Sequence, residues 1–208
     1  NIIAMLFERN ETNYAAYAPY IKVLSSSTKP DYCMAVAAAM LRLGKLEEAD
    51  LYAYKALYYL NNMEDYEIYK NYWGYYNENL NRYHDDGETK RVKGNSVVIL
   101  EENNPADLQH PEIRAFCLDS ESEFSDTNNR SMDVEHITSS DPLFLKIQGS
   151  GLKQVLNIDG INFRIINIYS RTDFAIGFIF RKINQCPDKF GGAAFVSSSE
   201  SIEESVER

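Results

Sequence analysis

Cysteine and histidine are the side chains best suited to nucleophilic or metal chemistry, and in this chain both are sparse and scattered. The cysteines are Cys33, Cys117 and Cys186, and the histidines are His84, His110 and His136. A structural zinc site draws on Cys or His pairs a few residues apart, because four ligands must close a tetrahedron. No such pair exists, so neither a metal nor a cofactor is expected, and the histidines read as exposed loop residues. Cys117 with His136 would make a nucleophile–base pair if folding joined them. Cys117 lies between Phe116 and Leu118 in a strand-like run, however, so burial as an inert thiol is the expectation. His84-Asp85-Asp86 offers oxygen and nitrogen ligands but reads as a solvated helix end. Phosphate-loop and dinucleotide glycine motifs are missing from the sequence. Gly149-Ser150-Gly151 reads as a turn and Gly191-Gly192 as a linker. No catalytic set emerges, and the chain is expected not to be an enzyme.

The elements that must position these residues fall into two vocabularies. Of 15 tyrosines, all but Tyr169 lie between Tyr14 and Tyr83, whereas all but one of the 10 phenylalanines follow residue 100. In residues 13–93 the apolar spacing is three and four, which is helical. Helices are expected over Asn13–Leu24, from Pro30-Asp31 to Leu43, from Glu47 to Leu60, and over Asp65–Tyr83. Gly44 should stop the second as a positive-φ residue. Beyond residue 94 the segments Ser96–Leu100, Ile113–Leu118, Gln154–Ile158, Asn162–Tyr169 and Phe174–Ile183 read as strands, rich in Val, Ile and Phe. Asp159-Gly160 is a hairpin turn signal. Residues 1–93 are thus expected to be a helical array, 94–196 a sheet domain and 197–208 an acidic tail, an α+β protein overall.

The formal net charge is −10 over 208 residues, against a general nucleic-acid surface, which needs cations for phosphate. Much of the acid sits in Asp119–Glu135 and Glu200–Glu207, a solvated loop and a tail. No apolar run approaches the roughly 20 residues of a membrane-spanning helix. The chain starts at Asn1 rather than Met, as a fragment or a processed form would. The lone cysteines fit reduced thiols and a cytoplasmic location.

Tyrosine-rich helical faces can bind peptides, because Tyr offers rigid contact area with a polar tip. Tyr69, Tyr72, Trp73 and Tyr76 share one helical face, and Tyr58 and Tyr59 are adjacent, so these six are candidate partner-binding residues. Inter-helix packing is expected to claim most of them, since amphipathic stripes normally face the core.

The stretch Pro30–Met63 resembles a tetratricopeptide repeat. Gly44-Lys45-Leu46-Glu47-Glu48-Ala49, then Ala53 and Ala56-Leu57, carry the likeness, with Ala37 seven residues before Gly44. Asn61 stands where that repeat often has Pro. Gly94–Ile168 is similar to the C-terminal domain of the bacterial Gre transcript-cleavage factors. The carrying residues are Gly94-Asn95-Ser96-Val97-Val98-Ile99-Leu100, then Ser139-Ser140-Asp141-Pro142-Leu143-Phe144-Leu145-Lys146-Ile147-Gln148-Gly149, Val155–Gly160 and Phe163–Ile168. Phe144 and Lys146 depart from the Gly and Ala of that family, and Lys153-Gln154 from its Gly-Asp. This resemblance implies an FKBP-like fold, an antiparallel sheet curved around one helix, and docking on RNA polymerase. Pro142, Phe144 and Leu145 are the partner-binding candidates it adds. The family's acidic coiled-coil tip has no counterpart here, so docking carries over and cleavage does not.

The expected function is therefore a non-enzymatic protein–protein interaction module, a bacterial transcription-associated regulator. One alternative is a regulatory fragment of a larger, nuclease-bearing enzyme. Another is a hydrolase, which requires a deep polar cleft with perturbed titrating groups.

Overall fold

The computed structural model describes residues 14–60, 65–77, 91–103, 111–119 and 132–190. His84, Asp85, Asp86, His110, Gly191, Gly192, most of the acidic loop and the tail 197–208 lie outside the described residues.

Among the described residues four helices come first: α1 (Tyr14–Leu24), α2 (Pro30–Arg42), α3 (Leu46–Tyr58) and α4 (Tyr66–Asn77). Pro at the first position starts α2, where no N–H is required. Gly44 ends it at φ +71°. The Gly44 N–H donates to the Leu41 carbonyl and the Lys45 N–H to that of Met40, closing a Schellman motif. Ala37 and Ala39 of α2 and Ala49, Ala53 and Ala56 of α3 are fully buried. Their small side chains let the two helices pack closely.

The sheet follows as β1 (Ser96–Glu102), β2 (Ile113–Asp119), β3 (Glu135–Thr138), β4 (Val155–Ile158) and β5 (Ile161–Ser170). A short helix α5 (Pro142–Ile147) separates β3 from β4, and α6 (Arg171–Gln185) follows β5. Strand order is β3-β2-β1-β5-β4. The protein is α+β.

The expected all-antiparallel sheet is corrected at one pair: β2 and β3 run parallel. The stretch 120–134 between them is long enough for the crossover that parallel neighbours need. One other expectation also changes. Phe174–Ile183, expected as a strand, lies inside α6. The cause is visible in Ser170-Arg171-Thr172-Asp173. The Ser170 hydroxyl accepts from the Asp173 N–H at 3.0 Å and donates to its carboxylate at 2.7 Å. This serine N-cap starts a helix ahead of the apolar run. The strand β3 had no apolar run to announce it. Asp159 and Gly160 do turn the β4–β5 hairpin, at φ 53° and 87°.

A bulge between β1 and β5 resets the side-chain phase. Ile99 faces Asn167, but Leu100 faces Ile165. Ile165 and Ile168 therefore lie in the same core although three residues apart. That core also holds Val98, Leu100, Phe116 and Leu118, and α5 adds Phe144 and Ile147. The other sheet face joins the helices. One buried cluster runs from Val36, Ala53, Leu57 and Tyr69 to Val97, Cys117, Ala175 and Ile179. The change of vocabulary near residue 93 is thus a change of secondary structure within one continuous core.

Candidate functional site

Where the sheet meets the helical layer, five polar side chains converge. Cys117 and Asp119 are two apart on β2 and so point to one face. The parallel register sets His136 of β3 directly opposite Cys117. Arg171 is the first residue of α6, placed by the capped turn out of β5. Tyr54 projects from α3, and Tyr58, one turn later, meets the His136 ring edge-on at 4.5 Å.

Asp119 is the hub, at 1% exposure. Its Oδ2 lies 2.6 Å from His136 Nδ1. Its Oδ1 accepts from Cys117 Sγ at 3.5 Å and pairs with Arg171 at 3.4 Å. Arg171 also donates to the Asn95 side-chain oxygen. His136 Nε2 faces the Tyr54 hydroxyl at 3.4 Å. The imidazole thus bridges the Asp119 carboxylate and the Tyr54 hydroxyl through its two ring nitrogens.

The thiol is protonated in this setting. Burial pushes Cys117 well above the usual thiol range, and the Asp119 charge adds to the shift. Burial also raises Tyr54 well above the ordinary tyrosine value, helped by Cys117 and Asp119. Cys117 is fully buried, so neither thiolate formation nor substrate approach is favoured. The ligand atoms of Cys117, Asp119 and His136 lie within 4.8 Å of one another. A divalent ion there would face the buried Arg171 guanidinium and would displace donors already bonded to Asp119. The trio is better suited to a structural polar knot than to a metal centre.

The tyrosine face is interior. Tyr58, Tyr59, Tyr69 and Tyr72 are at most 6% exposed, so four of the six tyrosine-face candidates pack between elements instead of facing a partner. Trp73 and Tyr76 are half-buried, and Trp73 meets Phe180 of α6 edge-on at 5.2 Å. The helix α6, read as a strand from sequence, is what covers this face. Of the α5 candidates, Phe144 is buried in the sheet core, whereas Pro142 is exposed and Leu145 is 68% exposed.

An open cleft of about 500 Å³ lies between the sheet and α6. Ile99, Ala115 and Tyr169 form its floor, Phe174 and Phe178 its wall, and Asp133, Asp173, Arg181 and Lys182 its charged rim. The strongly shifted groups Tyr54, Tyr72 and Cys117 are not among its lining residues.

Asp119, Tyr54 and Arg171 escaped sequence reasoning. Cys117-x-Asp119, with an acid closing an apolar strand, was a local signal for the first. Nothing local announces that Tyr54 and Arg171 arrive from distant elements. No described helix is long and apolar enough to cross a membrane. Comparison with protein-family models, curated proteins and solved structures finds no match for the chain.

Proposed function

We propose that this chain is a non-enzymatic protein-interaction module that docks on bacterial RNA polymerase through the outer side of α5. The observation that carries this reading is the two-sidedness of that helix. Phe144 and Ile147 anchor it in the sheet core, while Leu145 stands 68% exposed beside the exposed Pro142. Asp141 caps the helix, its carboxylate accepting from the Leu143 N–H at 2.8 Å, so the apolar contact is held on a rigid support. A rigidly held apolar side chain of this kind can serve as an anchor for a partner's pocket. The likeness of Gly94–Ile168 to the Gre C-terminal domain, with its FKBP-like fold, supplies the partner's identity and a cytoplasmic setting. The tetratricopeptide-like pairing of α2 with α3 agrees with an interaction role. The sealed Cys117–His136 pair argues against chemistry as the alternative.

The test is a pull-down of purified bacterial RNA polymerase with the wild-type chain and with Leu145→Glu. The wild type should bind, and the variant should lose about tenfold or more in affinity. Failure of the folded wild-type chain to bind refutes the transcription reading.

A further inference from the structure

We propose that the open cleft between the sheet and α6 binds short apolar peptides with free termini. The proposal is independent of the polymerase reading: no residue of α5 lines the cleft, and the tests contain no polymerase.

One stripe of α6 sets the charges. Asp173, Gly177 and Arg181 are spaced by four along the helix, and all three line the cleft. Asp173 stands in the first turn, whereas Arg181 and Lys182 stand toward the other end. At about 1.5 Å of rise per residue, the acidic and basic ends lie about 12 Å apart along the axis. Among the described residues, none of the rim charges Asp133, Asp173, Arg181 and Lys182 is in an ion pair. Acids and bases around one cleft are thus held too far apart to pair with each other. A ligand with a single charge would meet both signs. A zwitterion of matching length meets its complement at each end.

The space between the charges suits a peptide. Ile99, Ala115 and Tyr169 form an apolar floor, and Phe174 and Phe178 an aromatic wall, for side chains. Asn167 and Gln185 add primary amides to the lining, each able to donate and to accept, as a peptide group requires. The volume of about 500 Å³ is that of a small-ligand site. An extended chain covers up to about 3.5 Å per residue, so roughly three or four residues span the two ends.

Gly177 lies midway along α6. Glycine is the poorest helix former after proline. Inside an element it serves where another backbone or a ligand comes close. A Cβ at Gly177 would meet nothing within 4 Å, so packing does not call for glycine here. The missing side chain instead keeps the centre of the α6 wall open.

Isothermal titration calorimetry of the full chain with the tripeptide leucyl-alanyl-phenylalanine tests the proposal. The dissociation constant should be about 1 mM or lower. Acetylating the amine or amidating the carboxylate should each weaken binding about tenfold. Arg181→Gln should weaken the free peptide about tenfold and change the amidated one little. Asp173→Asn should do the same for the free and acetylated peptides. Gly177→Leu fills the cleft and should abolish binding while favouring the helix. No binding up to about 5 mM peptide overturns the proposal. So does binding indifferent to Gly177→Leu, and so does equal binding of the blocked peptides. Loss on blocking one end alone overturns it too, because a singly charged ligand would then suffice. Should Gly177→Leu unfold by circular dichroism, the blocked peptides and Arg181→Gln decide alone.

Discussion

His136 Nδ1 lies 2.6 Å from Asp119 Oδ2, and this contact ties the edge strand β3 to β2 at the side of the sheet that meets the helices. The imidazole meets Tyr54 and Tyr58 of α3 on its other side. The carboxylate holds Arg171 at the start of α6. A residue suited to catalysis is here used as a joint.

Asp119→Ala should be among the most damaging single substitutions in the protein. It leaves the buried Arg171 guanidinium without its counter-charge, which typically costs 3–5 kcal/mol. His136→Phe keeps the ring contacts with Tyr58 and loses only hydrogen bonds, so about 1–3 kcal/mol is expected. Urea denaturation followed by circular dichroism measures both. A loss below about 1 kcal/mol for Asp119→Ala would show that the cluster is not a joint.

Two neighbouring tyrosines on α4 should respond oppositely to loss of the hydroxyl. The Tyr75 hydroxyl donates to Asp50 Oδ1 at 2.6 Å, a bond to a charged group, so Tyr75→Phe should cost about 1.5–3 kcal/mol. The Tyr72 hydroxyl is buried with no hydrogen-bond partner among the described residues. Tyr72→Phe removes a desolvated polar atom and should be neutral or stabilising by up to about 1 kcal/mol. Melting curves of the two variants settle the contrast. Equal losses would contradict it.

Alkaline solution should unfold the protein cooperatively. Burial raises the Cys33 thiol from 9.0 to about 11. Burial, then Tyr66 and Asp65, raise Tyr69 from 10.0 to about 12. The folded pKa values exceed the unfolded ones, so the unfolded chain releases these protons first. This stability is complete below about pH 9 and is lost as pH rises through about 9 to 12. Tyrosinate absorbance from the buried rings should therefore appear together with loss of the helical circular-dichroism signal. Full tyrosine titration near pH 10 with the fold intact would contradict the burial of these rings.

Gly44 should tolerate little. Its φ of +71° is strained for any side chain, although a Cβ there would meet nothing within 4 Å. Gly44→Ala should cost about 1 kcal/mol from backbone strain alone. Gly44→Asn should cost less, since Asn visits this region more readily. Thermal melts of the pair test whether the Schellman end of α2 is needed for the α2–α3 packing.

Four helices, four strands and the Asp159-Gly160 turn were legible along the chain, because hydrophobic period, capping residues and turn residues act over a few positions. Gly44 ended α2 where the glycine stood, and the alanines of α2 and α3 met as their small size required. The apolar run at Phe174 reads as a strand because its composition outweighs the N-cap serine four residues earlier. Short β3 carried no apolar run, so its parallel pairing to β2 was invisible. Only the tertiary structure decided which side chains meet. Tyr54, Cys117, Asp119, His136 and Arg171 come from four separated elements, and nothing local encodes their convergence. The same holds for the tyrosine face, whose stripe specifies that something must cover it but not that α6 does. Period and capping are properties of neighbouring residues, whereas burial and charge pairing depend on how whole elements pack.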